Sequence, residues 1–134
     1  MRTCKVGDTL PPLVKPAITT RQLVMYAGAS GDFNPIHYDE AFARGGGFPS
    51  VIAHGMLSMA FFGQLVGDWV GPAAVRKLSA RFKAVTFPGD VITCTGEVVA
   101  LAEEAGRPVA VLKLLAKNPA GTVTLEGSAT VALD

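Results

Sequence analysis

Histidine is the side chain whose unperturbed titration falls nearest neutral pH, and this sequence contains only two of them. His37 closes the run Ser30-Gly31-Asp32-Phe33-Asn34-Pro35-Ile36-His37, and His54 lies in Ile52-Ala53-His54-Gly55-Met56. Pro35 stands between Asp32 and His37 and prevents a continuous helix, so the segment can curl and aim both side chains at one spot. A carboxylate beside an imidazole can hold a water, one group taking a proton and the other supplying one. Asn34 is placed to hydrogen-bond the loop backbone and fix its shape. The same spacing also fits an Asx-type turn that carries a surface histidine, and spacing alone leaves both readings open.

His54-Gly55 stands where a long apolar run begins, and the first N–H groups of a helix have no partner inside it. A carbonyl oxygen placed at Gly55 would find a donor there. The positive end of the helix dipole would then help to stabilise negative charge building on that oxygen. Glycine suits position 55 because a side chain could block close approach of the ligand. The alternative is that His54 and Gly55 simply make a tight helix opening.

The elements that must position these groups are legible in outline. Residues 55–70 are apolar on every helical face, which belongs in a core or a membrane. The run is shorter than the roughly 20 residues a bilayer requires and contains Gln64 and Asp68, so a core helix is expected and no membrane contact. Residues 77–85, 91–101, 109–117 and 123–133 read as strands, separated by turn signals at Pro88-Gly89-Asp90, Glu104 to Pro108 and Asn118 to Gly121. Such short connections suit antiparallel neighbours, so a meander is expected. Thr19 to Gln22 reads as a capping box for a helix that Gly28 and Gly31 stop, and Asp39 as the cap of a short helix broken by Gly45-Gly46-Gly47. The architecture is α+β. A sheet of this size covers only part of the helix and leaves an edge, which dimerisation would cover.

At 134 residues the chain has room for one domain, 1–134. Apolar residues make up 49% and charged residues 17%, which excludes the composition of a disordered chain. A net charge of +1 gives no field for gripping nucleic-acid phosphates. Cys4 and Cys94 lack any CxxC or His partner spacing, so two structural thiols and no metal site are expected. The N-terminal residues have no signal-peptide pattern, which points to the cytoplasm. Gly45-Gly46-Gly47 lacks phosphate-loop spacing and reads as a mobile loop. Arg44, Lys77, Arg81 and Lys83 read as ordinary surface charges, although they could meet the phosphates of a ligand or the acidic residues of a partner. Phe42, Phe48, Phe61, Phe62 and Trp69 read mostly as core, though they could line an acyl tunnel.

The stretch from Tyr26 to His37, followed by Ile52-Ala53-His54-Gly55-Met56, resembles the hydratase motif of MaoC-like proteins and R-specific enoyl-CoA hydratases. The resemblance extends to Arg81-Phe82-Lys83-Ala84-Val85-Thr86-Phe87-Pro88-Gly89-Asp90 and to the opening Val6-Gly7-Asp8-Thr9-Leu10-Pro11. It implies a single hot-dog domain, a long central helix wrapped by a curved antiparallel sheet, with the acyl chain bound near a subunit interface. It also implies reversible hydration of 2-enoyl thioesters to R-3-hydroxyacyl thioesters, with Asp32 and His37 as the catalytic pair, the Gly55 N–H as oxyanion donor and Asn34 and His54 in support. Related hydratases often place a serine at the position aligned with Gly63; Ser58, one helical turn from Gly55, could face the site instead, although it reads first as a small residue that eases helix packing. No cofactor is expected, acyl-CoA or acyl-ACP being the substrate, and no cofactor-binding residue is assigned. A homodimer or higher homo-oligomer is expected, with a heterodimer open through similarity to the mycobacterial hydroxyacyl-ACP dehydratase subunits. Two competing readings are a hot-dog thioesterase that uses a helix carboxylate such as Asp68, and a non-catalytic acyl-binding subunit.

Overall fold

Leu57, Ser58, Phe61, Phe62, Leu65 and Val66 repeat with helical spacing, and all six are buried along one side of α3 (Gly55–Val70). The computed structural model describes residues 2–134. On the opposite side of α3, Met56, Ala60, Gln64 and Asp68 are exposed. The apolar helix is thus covered on one face only, and the buried face meets Val98, Leu112, Leu114, Leu125 and Val131 in a single core. Each such side chain fully removed from water contributes about 1.5–3 kcal/mol before entropy is counted.

Ahead of α3, α1 (Thr20–Ser30) is capped by Thr19, whose Oγ1 accepts from the Gln22 N–H at 3.1 Å. It ends at Gly31, which takes the left-handed conformation at φ 74° and bonds back to the Ala27 carbonyl. The helix runs through Gly28, so of the two glycines expected to stop it only Gly31 does so. A 3-10 turn (Pro35–His37) follows, and then α2 (Glu40–Gly45), capped by Asp39 Oδ1 on the Phe42 N–H at 3.1 Å.

The sheet has five antiparallel strands: β1 (Leu13–Val14), β2 (Val75–Phe82), β3 (Thr93–Glu104), β4 (Arg107–Lys117) and β5 (Val123–Ala132), in the order β1-β3-β4-β5-β2. β3, β4 and β5 do form a meander. The β3–β4 turn needs only Ala105 and Gly106, both at positive φ, which matches the strand twist. The expected pairing across Pro88-Gly89-Asp90 is not present. β2 pairs with β5, and the chain then crosses to the opposite edge of the sheet before β3 begins. The crossing is held by other elements: Lys83 and Ala84 donate to the Thr124 carbonyl, Ala53 donates to Thr86 O, and Gly89 donates to Ile18 O. That crossing brings residues 83–86 past the opening of α3. Extra residues in β2, β3 and β5 shift the register, add twist and help the sheet curl around the helix.

Candidate active site

Nested side-chain turns build the loop after α1. The Asn34 N–H donates to Asp32 Oδ1 at 3.2 Å, the Ile36 N–H donates to Asn34 Oδ1 at 3.1 Å, and Tyr38 Oη donates to the Phe33 carbonyl at 2.8 Å. The loop is therefore an Asx turn, yet its histidine is not on the surface, because His37 is only 8% exposed. Asp32 Oδ2 stands 3.7 Å from His37 Nε2, too far for a direct hydrogen bond and close enough for one water beside them to reach both. His37 Nδ1 lies 2.7 Å from the Ile52 carbonyl. A carbonyl only accepts, so Nδ1 carries a proton, and in the neutral ring Nε2 holds the lone pair. Two acceptors then face each other, and a water seated there would donate to both while its own oxygen lone pair stays free.

His54 forms the N-cap position of α3 and is 1% exposed. Its Nε2 approaches the Asp32 carbonyl at 3.2 Å. Its ring stacks on His37 with centroids 3.7 Å apart and meets Tyr26 edge-on at 4.7 Å. Burial, which disfavours the charged form, is the main reason the His54 imidazole titrates below its ordinary range. Ligand atoms of Asp32, His37 and His54 all lie within 4.8 Å of one another. Stacked rings direct their lone pairs side by side, however, and His37 Nδ1 and His54 Nε2 are already bonded to carbonyls. The arrangement suits proton transfer better than chelation.

The His37 ring opens onto a pocket of about 300 Å3 that is also lined by Gly55, Ser58, Phe82, Thr86 and Thr124. Gly55, the first residue of α3, lines this wall, and Ser58 is buried beside it. Glycine at 55 has a more specific cause than ligand approach. A Cβ there would stand 2.8 Å from Cε1 of Phe82, so the aromatic ring fills the space a side chain would need. Sequence reasoning missed Phe82, the last residue of β2, because strand alternation gives no sign that this ring turns toward the start of α3. Lys83 lines the same pocket and pairs with Glu126 at 3.3 Å. Arg44 and Lys77 are instead paired with Glu40 and Glu104.

Other sequence candidates lie elsewhere. Asp68 borders a separate cavity of about 390 Å3, together with Arg2, Pro11, Leu65 and Trp69. It lies thirteen residues beyond Gly55 on the helix, roughly 20 Å along the axis. Gly63 faces Leu78 of β2 and offers no hydroxyl. Phe61 and Phe62 are core, whereas Phe42 is 53% exposed, and none of the five aromatic residues considered for an acyl tunnel lines the His37 pocket. Cys94 is buried with its thiol pushed up to about 11 by desolvation, and Cys4 is raised as well, so both stay unreactive thiols near neutral pH.

A long helix wrapped by a curled five-strand antiparallel sheet, with a buried imidazole beside the helix opening, defines a hot-dog domain. Residues 5–117 match the MaoC like domain, and the chain belongs to that family of hydratases and dehydratases. It is 36% identical over 114 residues to the (R)-specific enoyl-CoA hydratase of Aeromonas caviae, covering 84% of each chain. It is 29% identical over 130 residues to the mitochondrial 3-hydroxyacyl-[acyl-carrier-protein] dehydratase of Arabidopsis thaliana, covering 96% of this chain and 77% of that one. The solved (R)-hydratase of A. caviae, involved in PHA biosynthesis, superposes with a TM-score of 0.88 at 32% identity over the whole of both chains. The HadBC 3R-hydroxyacyl-ACP dehydratase complex of Mycobacterium tuberculosis, at 18% identity and a TM-score of 0.81, shares the fold.

Proposed function

We propose that this protein reversibly hydrates 2-enoyl thioesters of coenzyme A or acyl carrier protein to R-3-hydroxyacyl thioesters. The observation that carries the reading is the pair of facing acceptors, Asp32 Oδ2 and His37 Nε2, 3.7 Å apart beside the opening of α3. A water donating to both presents its oxygen to C3 of an enoyl thioester whose carbonyl oxygen rests on the Gly55 N–H. As the C3–O bond forms, the double-bond electrons move toward C2 and the carbonyl oxygen, and the helix opening stabilises the enolate. The Asp32–His37 pair takes one proton from the water and delivers one to C2, so it ends the cycle as it began. Proton transfer and a backbone donor suffice for this chemistry, and the proposed enzyme works without metal or redox cofactor.

The same reading places the protein in the cytoplasm as a homodimer, with a related hot-dog chain as the alternative partner. Among the described residues no helix is long and apolar enough to cross a membrane. β2 has a neighbour on one side only, and Phe33, Met56 and Phe82 are more than half exposed, which a second copy would cover. Thioester hydrolysis driven by Asp68 is disfavoured because that carboxylate borders a different cavity from the His37 pocket.

The test is purified protein, sized by light scattering and offered crotonyl-CoA. A dimer that consumes the enoyl thioester absorbance without releasing free thiol, at a rate unchanged in Asp68→Asn, is expected. Thiol release matching substrate loss and vanishing in Asp68→Asn would establish a thioesterase instead, and an active monomer would refute the dimer.

A further inference from the structure

His54 is a buried titratable group that the proposed chemistry does not use. Two carbonyls determine where the protons of the two histidines sit. The Ile52 carbonyl at 2.7 Å requires a proton on His37 Nδ1, and the Asp32 carbonyl at 3.2 Å requires one on His54 Nε2. The rings are stacked at 3.7 Å and inclined by 21°, so two different tautomers lie face to face. Adding a second proton to His54 would place it on Nδ1, which is buried and has no hydrogen-bond partner among the described residues. The groups facing His54 are His37 from the 3-10 turn, Tyr26 from α1 and Asp32 from the loop. Desolvation, the largest effect, and a charged His37 oppose a charged His54; of the facing groups only Asp32 favours it, first through its backbone carbonyl and then through its carboxylate.

We propose that His54 is a positioning residue: a ring protonated on Nε2 alone that ties the opening of α3 to the Asp32 carbonyl and backs the face of His37. It rests on the reading of Asp32 and His37 as the acid–base pair and adds how that pair is held. The bond to Asp32 O fixes the loop from the helix side, while the nested turns fix it from within. The stacked face stops the His37 ring from tilting off the Ile52 carbonyl, which would release its tautomer and remove the lone pair from Nε2. Because His54 stays neutral, His37 can gain a proton during turnover without a second cation stacked on it.

Nitrogen-15 NMR of the intact, uniformly labelled protein tests this directly, since its two histidines are its only imidazoles. Two opposite neutral tautomers are expected, with the Nε2–H ring failing to titrate through the range in which a free histidine gains its charge, about pH 6.5. Identical tautomers, or ordinary titration of the Nε2–H ring, would overturn the proposal, and this readout does not depend on the protein's activity. In kinetics with crotonyl-CoA, His54→Phe keeps a stacked ring and loses the donor. It should lower kcat by about ten- to a hundredfold while KM changes little, because the loss is one of alignment. His54→Gln, which restores an amide N–H near the Nε2 position, should recover part of that loss. A His54→Phe variant with wild-type kcat would refute the positioning role. Absence of turnover in the wild type would instead refute the hydratase reading and leave the tautomer result to decide the role of His54.

Discussion

Asp32→Asn and His37→Ala are each expected to lower turnover by about 10²–10⁴-fold, the usual range for loss of a positioned acid or base. In the proposed mechanism the two acceptors, 3.7 Å apart, share one water. Asn at 32 replaces one oxygen acceptor with an amide donor, or with a weaker acceptor, so the water loses its orientation and the carboxylate can no longer hold a proton. Ala at 37 removes the other acceptor and the Nδ1 bond to the Ile52 carbonyl that sets its tautomer. Either change disables the same unit, so the double variant should be scarcely slower than the worse single one. Steady-state kinetics on the three variants checks this. More than a tenth of wild-type turnover in either single variant, or losses that multiply, would mean that the two groups do not act on one water.

The second large effect concerns Gly55 and Phe82. Gly55→Ala should reduce kcat/KM by about ten- to a hundredfold, since small misplacements at a reacting centre have effects of that size. The added methyl would lie 2.8 Å from Phe82 Cε1, and the ring, 54% exposed at the end of β2, has to swing to make room. Swinging it alters the wall of the His37 pocket and, in the proposed mechanism, the seat of the thioester carbonyl on the Gly55 N–H. Phe82→Ala removes the obstruction and leaves the N–H in place, so its own loss should be smaller, mainly in KM. The Gly55→Ala/Phe82→Ala double variant should then be close to Phe82→Ala alone, a strong coupling between contacting residues. Multiplicative losses would show that the glycine serves something other than the ring.

The sequence made α3 legible because its apolar run is bounded sharply by Gly55 and by Gly71-Pro72. The loop from Asp32 to His37 was legible for a similar reason: Asn and Pro have few backbone options, and the nested turns follow from them. The crossing from β2 to β3 was not legible. Pro88-Gly89-Asp90 makes a turn whether the next strand pairs beside β2 or on the far edge, and the choice is made by distant partners at Thr124, Ala53 and Ile18. β1 is two residues long and carries no periodic signal. The stacking of His54 on His37 was equally hidden, because it depends on the angle at which α3 meets the loop. Phe82 shows the same limit: its place over Gly55 depends on where β2 ends relative to α3.

The most direct test of the central claim is the fate of the water. Crotonyl-CoA incubated with the protein in heavy-oxygen water should give 3-hydroxybutyryl-CoA with the label in the C3 hydroxyl, as the R enantiomer alone. One water held between Asp32 and His37 approaches a single face of the double bond. Label in a released carboxylate, or a racemic or S product, would contradict the account.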